Sequence, residues 1–211
     1  MKSHVETWQR KLDDLDLYRG TIDGDFGPMT LSASIELLDA EDLGGTEIAG
    51  KAVEIVKPLF AYKPPKRAVH ELIWHCAATP EGKDFTVEDI DRWHKARGWS
   101  GIGYHFVVYR DGSIHAGRSN EKTGAHVGGR NTGTIGATYI GGVTADGKKA
   151  KDTRTAEQRA SMLWLTKEIT KDRRIKRISG HNQYAAKACP SFDVRTDELG
   201  NIPGFVRGHR N

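Results

Sequence analysis

The stretch 177–194, RISGHNQYAAKACPSFDV, brings a His, a Lys and a Cys into one short polar segment, with Lys187 lying between His181 and Cys189. Imidazole nitrogen and thiolate sulfur are ligands that zinc favours, and a catalytic zinc takes three protein ligands while keeping a further position for water. The segment supplies two, so a third ligand must come from elsewhere. The best candidate is His75, at the end of the apolar run LIWHCAAT, which reads as a buried strand. Neighbouring strand residues point to opposite faces, so if His75 faces a metal then Cys76 faces the core as a small buried hydrophobe. Two cysteines in 211 residues make no disulfide framework.

Several elements must position these residues. A chain of 211 residues with 37% hydrophobic and 28% charged content holds one ordinary domain and a small second one. No run approaches the roughly 18 apolar residues of a membrane span, so no membrane anchor is expected. The first residues, MKSHVETWQRKLDD, lack the apolar core of a signal peptide, which places synthesis in the cytoplasm. A net charge of +4 favours anionic polymers in general. The basic cluster RRIKR at 173–177 reads as a solvated helix end and strand start, not as a nucleic-acid patch.

Residues 5–16 form an amphipathic pattern, with Val5, Trp8, Leu12 and Leu15 three or four apart. YRGTIDGDFGPMT then packs three glycines and a proline into a tight loop, and Thr30 caps a second expected helix over 30–38. A third is expected over 47–56. Together with the linker YKPPKR, these elements make residues 1–63 a small three-helix domain.

Residues 64–211 switch to alternating strands and helices. Strands are expected at 69–76, 104–109, 113–117, 134–140 and 175–179, with Asp111 and Gly112 turning the second into the third. Helices are expected at 86–97, opened by Thr86, and at 155–171, with Glu157 near its positive end. The fold class is therefore α/β, a mixed central sheet flanked by helices, and its site residues would sit at strand ends and on the loops beyond them.

Two resemblances sharpen this reading. Trp8, Gln9, Leu12, Tyr18, Gly20, Ile22 and the run Asp23, Gly24, Phe26, Gly27 and Thr30 resemble the repeat of the three-helix peptidoglycan-binding domain; Asp16, Leu37 and Leu38 depart from its pattern. The segments LIWHCAAT, WHKARGW, GYHF, RDG, GAHVGGRNTG and KACPSFD, in that order, resemble the type-2 zinc-dependent N-acetylmuramoyl-L-alanine amidases, which include phage lysozymes with amidase activity and animal peptidoglycan recognition proteins. The resemblance implies His75, His181 and Cys189 as ligands of a zinc ion, with Tyr104 and Lys187 as catalytic partners. It implies hydrolysis of the amide between N-acetylmuramic acid and L-alanine, most simply by a phage endolysin that reaches the wall after membrane permeabilisation or lysis. The rival that it implies is a non-catalytic peptidoglycan recognition module, although binders in the family typically lack the Cys ligand. Restraint of a phage RNA polymerase, as some small phage amidases practise, is a further implied partnership.

The chemistry agrees with these roles. Lys187 lies two residues before Cys189 and shares its face in an extended segment, so its ammonium can reach a developing oxyanion. Tyr104 can offer its phenol to the same oxyanion or to the attacking water. His126 and Asn131, in a glycine-rich loop, are expected to line the substrate groove. His105 alternates with Tyr104 along the expected strand and is given a structural role. Trp93, His94 and Trp99 read as packing, while His4, His70, His115 and His209 carry no signal. The sequence contains no nucleophile elbow, phosphate loop or calcium loop.

Overall fold

The computed structural model describes residues 2–14, 22 and 62–207. Helix α1 (Lys2–Asp14) covers most of the expected N-terminal stripe, and its Leu12 is buried. The expected second and third helices, and with them Asp23, Gly24, Phe26 and Gly27, lie outside the described residues.

Strand β1 (Glu71–Cys76) is buried along its whole length, as an apolar run flanked by parallel neighbours should be. After it come β2 (Thr79–Pro80), helix α2 (Val87–Ala96), β3 (Phe106–Val108), β4 (Ile114–Ala116), β5 (Thr134–Tyr139) and β6 (Gly142–Val143). Helix α3 (Ala156–Thr170), β7 (Arg177–Gly180) and β8 (Val206–Arg207) complete the order. The main sheet runs β4-β3-β5-β1-β7-β8, parallel throughout except for the antiparallel edge pair β3 and β4. A separate parallel pair joins β2 to β6.

Alternation along β1 sorts its residues between two faces. Leu72 and Trp74 join Met162, Leu165 and Ile169 of α3 in the larger core. The opposite face carries Ile73 and His75, and there α2 contributes Ile90 to a smaller cluster with Ile102, Val107 and Ile140. Buried polar groups lock α3 in place: the Trp74 indole N–H donates to Thr166 Oγ1 at 3.0 Å, and Gln158 donates to the Ile140 carbonyl at 2.9 Å. Both helices start as their sequences predict. Thr86 with Asp89, and Thr155 with Gln158, form reciprocal capping boxes.

Two differences from the sequence reading stand beside one agreement. Of the strand expected over 104–109 only 106–108 is regular strand, because the chain bends at His105, although the His105 N–H still donates to the Gly136 carbonyl at 2.8 Å. β2, β6 and β8 have two residues each, too few to show a period. The turn at Asp111 and Gly112 forms as expected: Gly112 has φ of 83°, and the Asp111 carboxylate accepts from the Ser113 N–H at 2.9 Å.

Candidate active site

The register of two parallel strands creates the site. Trp74 pairs with Gly180, so the next residue on each strand, His75 and His181, emerges side by side at the carboxyl end of the sheet. Their Nδ1 atoms are 3.1 Å apart. The loop after β7 then returns over the end of β1. The Cys76 backbone N–H donates to Cys189 Sγ at 3.3 Å, and that sulfur lies 3.7 Å from His75 Nδ1.

The returning loop is clamped from several sides. Tyr139 donates its hydroxyl to the Pro190 carbonyl at 2.8 Å, Ser191 to the Gly142 carbonyl at 2.7 Å, and Asn182 to the Phe192 carbonyl at 3.0 Å. Arg154 lies beneath it, almost wholly buried, paired with Asp152 and Asp197 and stacked 3.4 Å over the Phe192 ring. Most of these clamps leave no signal in the sequence, because they join residues distant in the chain.

His75, His181 and Cys189 are the residues among those described whose donor atoms gather closely enough to hold a metal ion, all within 4.8 Å of one another. Zinc–nitrogen bonds of about 2.05 Å and a zinc–sulfur bond of about 2.3 Å in a tetrahedron require edges of about 3.3 and 3.6 Å. The two edges that meet at His75, 3.1 and 3.7 Å, are close to those values. Burial holds His75 well below the ordinary imidazole range, and burial with the nearby Lys187 charge lowers His181 to about 4. Both rings are therefore neutral at pH 7 and keep lone pairs for a metal. The Cys76 sulfur and burial push the Cys189 thiol up, so metal uptake would release its proton.

Tyr104 joins the cluster from the bend before β3. Its ring lies 5.1 Å from that of His75, and burial pushes its hydroxyl pKa well up, leaving it a proton donor at neutral pH. Lys187 is exposed on the returning loop, beside an open pocket of ≈ 570 Å³ lined by residues 182–188. Cys76 is buried in the main core, and neither cysteine is in a disulfide.

The structure shows His126 and Asn131, expected at the substrate groove, in internal contacts. His126 is buried, and its Nδ1 lies 3.0 Å from His75 Nε2. Asn131 uses its side-chain oxygen to accept from the N–H groups of His126 and Val127, at 2.8 and 2.9 Å, and so ties the glycine-rich loop to itself. His105 is structural, as expected, but not because it points away from the site. The bend removes the alternation, and its ring lies 5.9 Å from that of His126. It accepts from the Gly136 N–H at 2.9 Å and contacts the Lys122 carbonyl at 3.0 Å. His94, also a packing residue as expected, accepts from the Gly103 N–H at 3.0 Å.

An α/β sheet that brings two imidazoles to the carboxyl ends of its central parallel strands, with a thiol on the loop above them, has the donor set of a candidate metal site. Residues 65–192 match the family described as N-acetylmuramoyl-L-alanine amidase, more than half of the chain, and the protein belongs to that family. The endolysin of Enterobacteria phage K11 is 38% identical over 129 residues, 59% of this chain and 85% of that one. The endolysin of Enterobacteria phage T3 is 38% identical over 135 residues, 64% of this chain and 87% of its own. Among solved structures, the amidase LysC from Clostridium intestinale shares the fold with a TM-score of 0.56 at 24% identity, over 70% of this chain and 96% of that one.

Proposed function

We propose that this peptidoglycan amidase cuts the amide between the lactyl group of N-acetylmuramic acid and L-alanine, in the manner of a phage endolysin. His75, His181 and Cys189 would hold a zinc ion. The observation that carries this reading is the convergence of three donor atoms within 4.8 Å, from elements more than a hundred residues apart in sequence, at spacings that suit zinc. Two imidazoles and one thiolate suit zinc better than the oxygen-seeking cations.

When bound, zinc supplies Lewis acidity and a water acidified to a pKa of roughly 7. The chain's own groups do the rest. His75 and His181 stay neutral through burial, while Tyr104 keeps its proton and can donate it to the oxygen that gains charge as the amide carbonyl is attacked. Lys187, on the same loop as Cys189, adds a positive charge to that side of the site. A complete donor set favours hydrolysis over simple recognition of muropeptides.

The test pairs metal content with turnover. The intact protein should carry about one zinc per chain, and chelation should abolish hydrolysis. His75→Ala and Cys189→Ala should each lose both metal and activity. Full zinc content and full activity in both variants would refute the assignment.

A further inference from the structure

The ring of His126 occupies a slot that only glycines leave open. A Cβ on Gly124 would lie 2.4 Å from its Cδ2, and one on Gly136 would lie 2.5 Å from its Cγ. Each distance is far inside contact, so the backbone on both sides is shaped around this imidazole. The ring's two nitrogens face two particular atoms: Nδ1 is 3.0 Å from His75 Nε2, and Nε2 is 3.2 Å from Thr134 Oγ1. Nothing in the reaction described above uses either contact.

We propose that Thr134 and His126 form a proton-orienting relay that fixes the tautomer of His75, so that its Nδ1 presents a lone pair to the metal position before a metal arrives. The inference rests on the reading of His75 as a metal ligand and makes His126 a positioning residue. Its direction follows from counting protons. Thr134 Oγ1 lies 3.0 Å from the carbonyl oxygens of both Arg130 and Asn131, which can only accept. The single hydroxyl proton therefore goes to a carbonyl, and the oxygen is left to accept from His126 Nε2–H. With its one proton on Nε2, the buried neutral ring leaves Nδ1 as an acceptor. That acceptor takes His75 Nε2–H, and His75 Nδ1 is left unprotonated on the side facing His181 and Cys189. The reverse polarity would turn the hydroxyl proton away from both carbonyls and place a proton on the very nitrogen that must bind the metal.

Outer-shell partners of metal-bound histidines typically change metal affinity by about 10–100-fold. The experiment titrates zinc into the full-length protein at neutral pH against a chelating dye, together with long-range ¹⁵N NMR of the metal-free wild type. His126→Leu should weaken zinc binding by about 10–100-fold. His126→Asn, whose side-chain oxygen falls near the lost Nδ1, should recover most of it. Thr134→Val should give an intermediate loss, because an unconstrained His126 can adopt either tautomer. The NMR spectrum should show both His75 and His126 protonated at Nε2, and it decides the matter even if the leucine variant does not fold. Wild-type zinc affinity in His126→Leu, or a proton on His75 Nδ1 in the metal-free protein, would overturn the relay. No zinc binding by the wild type would overturn the ligand assignment itself.

Discussion

In the proposed scheme Tyr104 and Lys187 act beside the candidate metal site without belonging to its set of donors, so substituting them should separate chemistry from metal binding. Tyr104→Phe and Lys187→Ala should each keep zinc content and melting temperature while turnover of a soluble muropeptide falls by about 10²–10³-fold, the usual loss for one oxyanion donor. Near wild-type turnover in a zinc-loaded variant would remove that residue from the mechanism. The neighbouring imidazoles make a different prediction, about pH. His105 is lowered by burial to about 4, against an ordinary value near 6.5 in the unfolded chain. The unfolded chain therefore binds the proton first. The stability that comes from keeping His105 neutral is complete above about pH 6.5 and is lost as pH falls toward 4, at about 1.4 kcal/mol per unit and about 3 kcal/mol in all. His126, lowered to about 3, acts in the same direction. Urea melts of the metal-free protein from pH 7.5 to 4 should show this decline, whereas a flat profile would mean that these rings are charged or exposed in the native state.

The three donors of the cluster and the loop that carries two of them are legible in the sequence, because residue type and order suffice to suggest them. The role of His126 is not. It depends on β5 lying beside β1 and on the slot between Gly124 and Gly136, neither of which leaves a local periodic signal. Helix starts at Thr86 and Thr155 were readable because capping is local chemistry, whereas the shortness of β3 reflects a bend imposed by tertiary contacts. The same contrast applies to Arg154, an unremarkable residue in sequence that holds the loop bearing Cys189 through Asp152, Asp197 and Phe192. Removing one member of a buried ionic network leaves its partners uncompensated, so Arg154→Leu should cost about 3–5 kcal/mol in chemical denaturation. Arg154→Lys should not restore it, because an ammonium cannot bridge two carboxylates with a planar fork. A loss under about 1 kcal/mol for Arg154→Leu would show that the loop is held by its other clamps.

At the scale of the molecule, the family match covers residues 65–192, and the resemblance of Asp23, Gly24, Phe26 and Gly27 to a peptidoglycan-binding repeat lies in residues 1–63. We assign wall affinity to that N-terminal part. Tethering raises effective concentration only on a polymer, so deleting residues 1–63 should weaken binding to whole sacculi and leave hydrolysis of a small muropeptide nearly unchanged. Equal loss on both substrates would make the N-terminal part a structural piece of the catalytic domain. Among the described residues no helix is long and apolar enough to cross a membrane.

The most direct test of the whole account is mass spectrometry of purified peptidoglycan digested by the zinc-loaded protein, with a chelated sample alongside. The products should be stem peptides that begin with a free L-alanine amine and glycan strands stripped of peptide but otherwise intact, and chelation should abolish both. New reducing sugar ends, cleavage within the stem peptide or cross-bridge, or undiminished release in the chelated sample would contradict it.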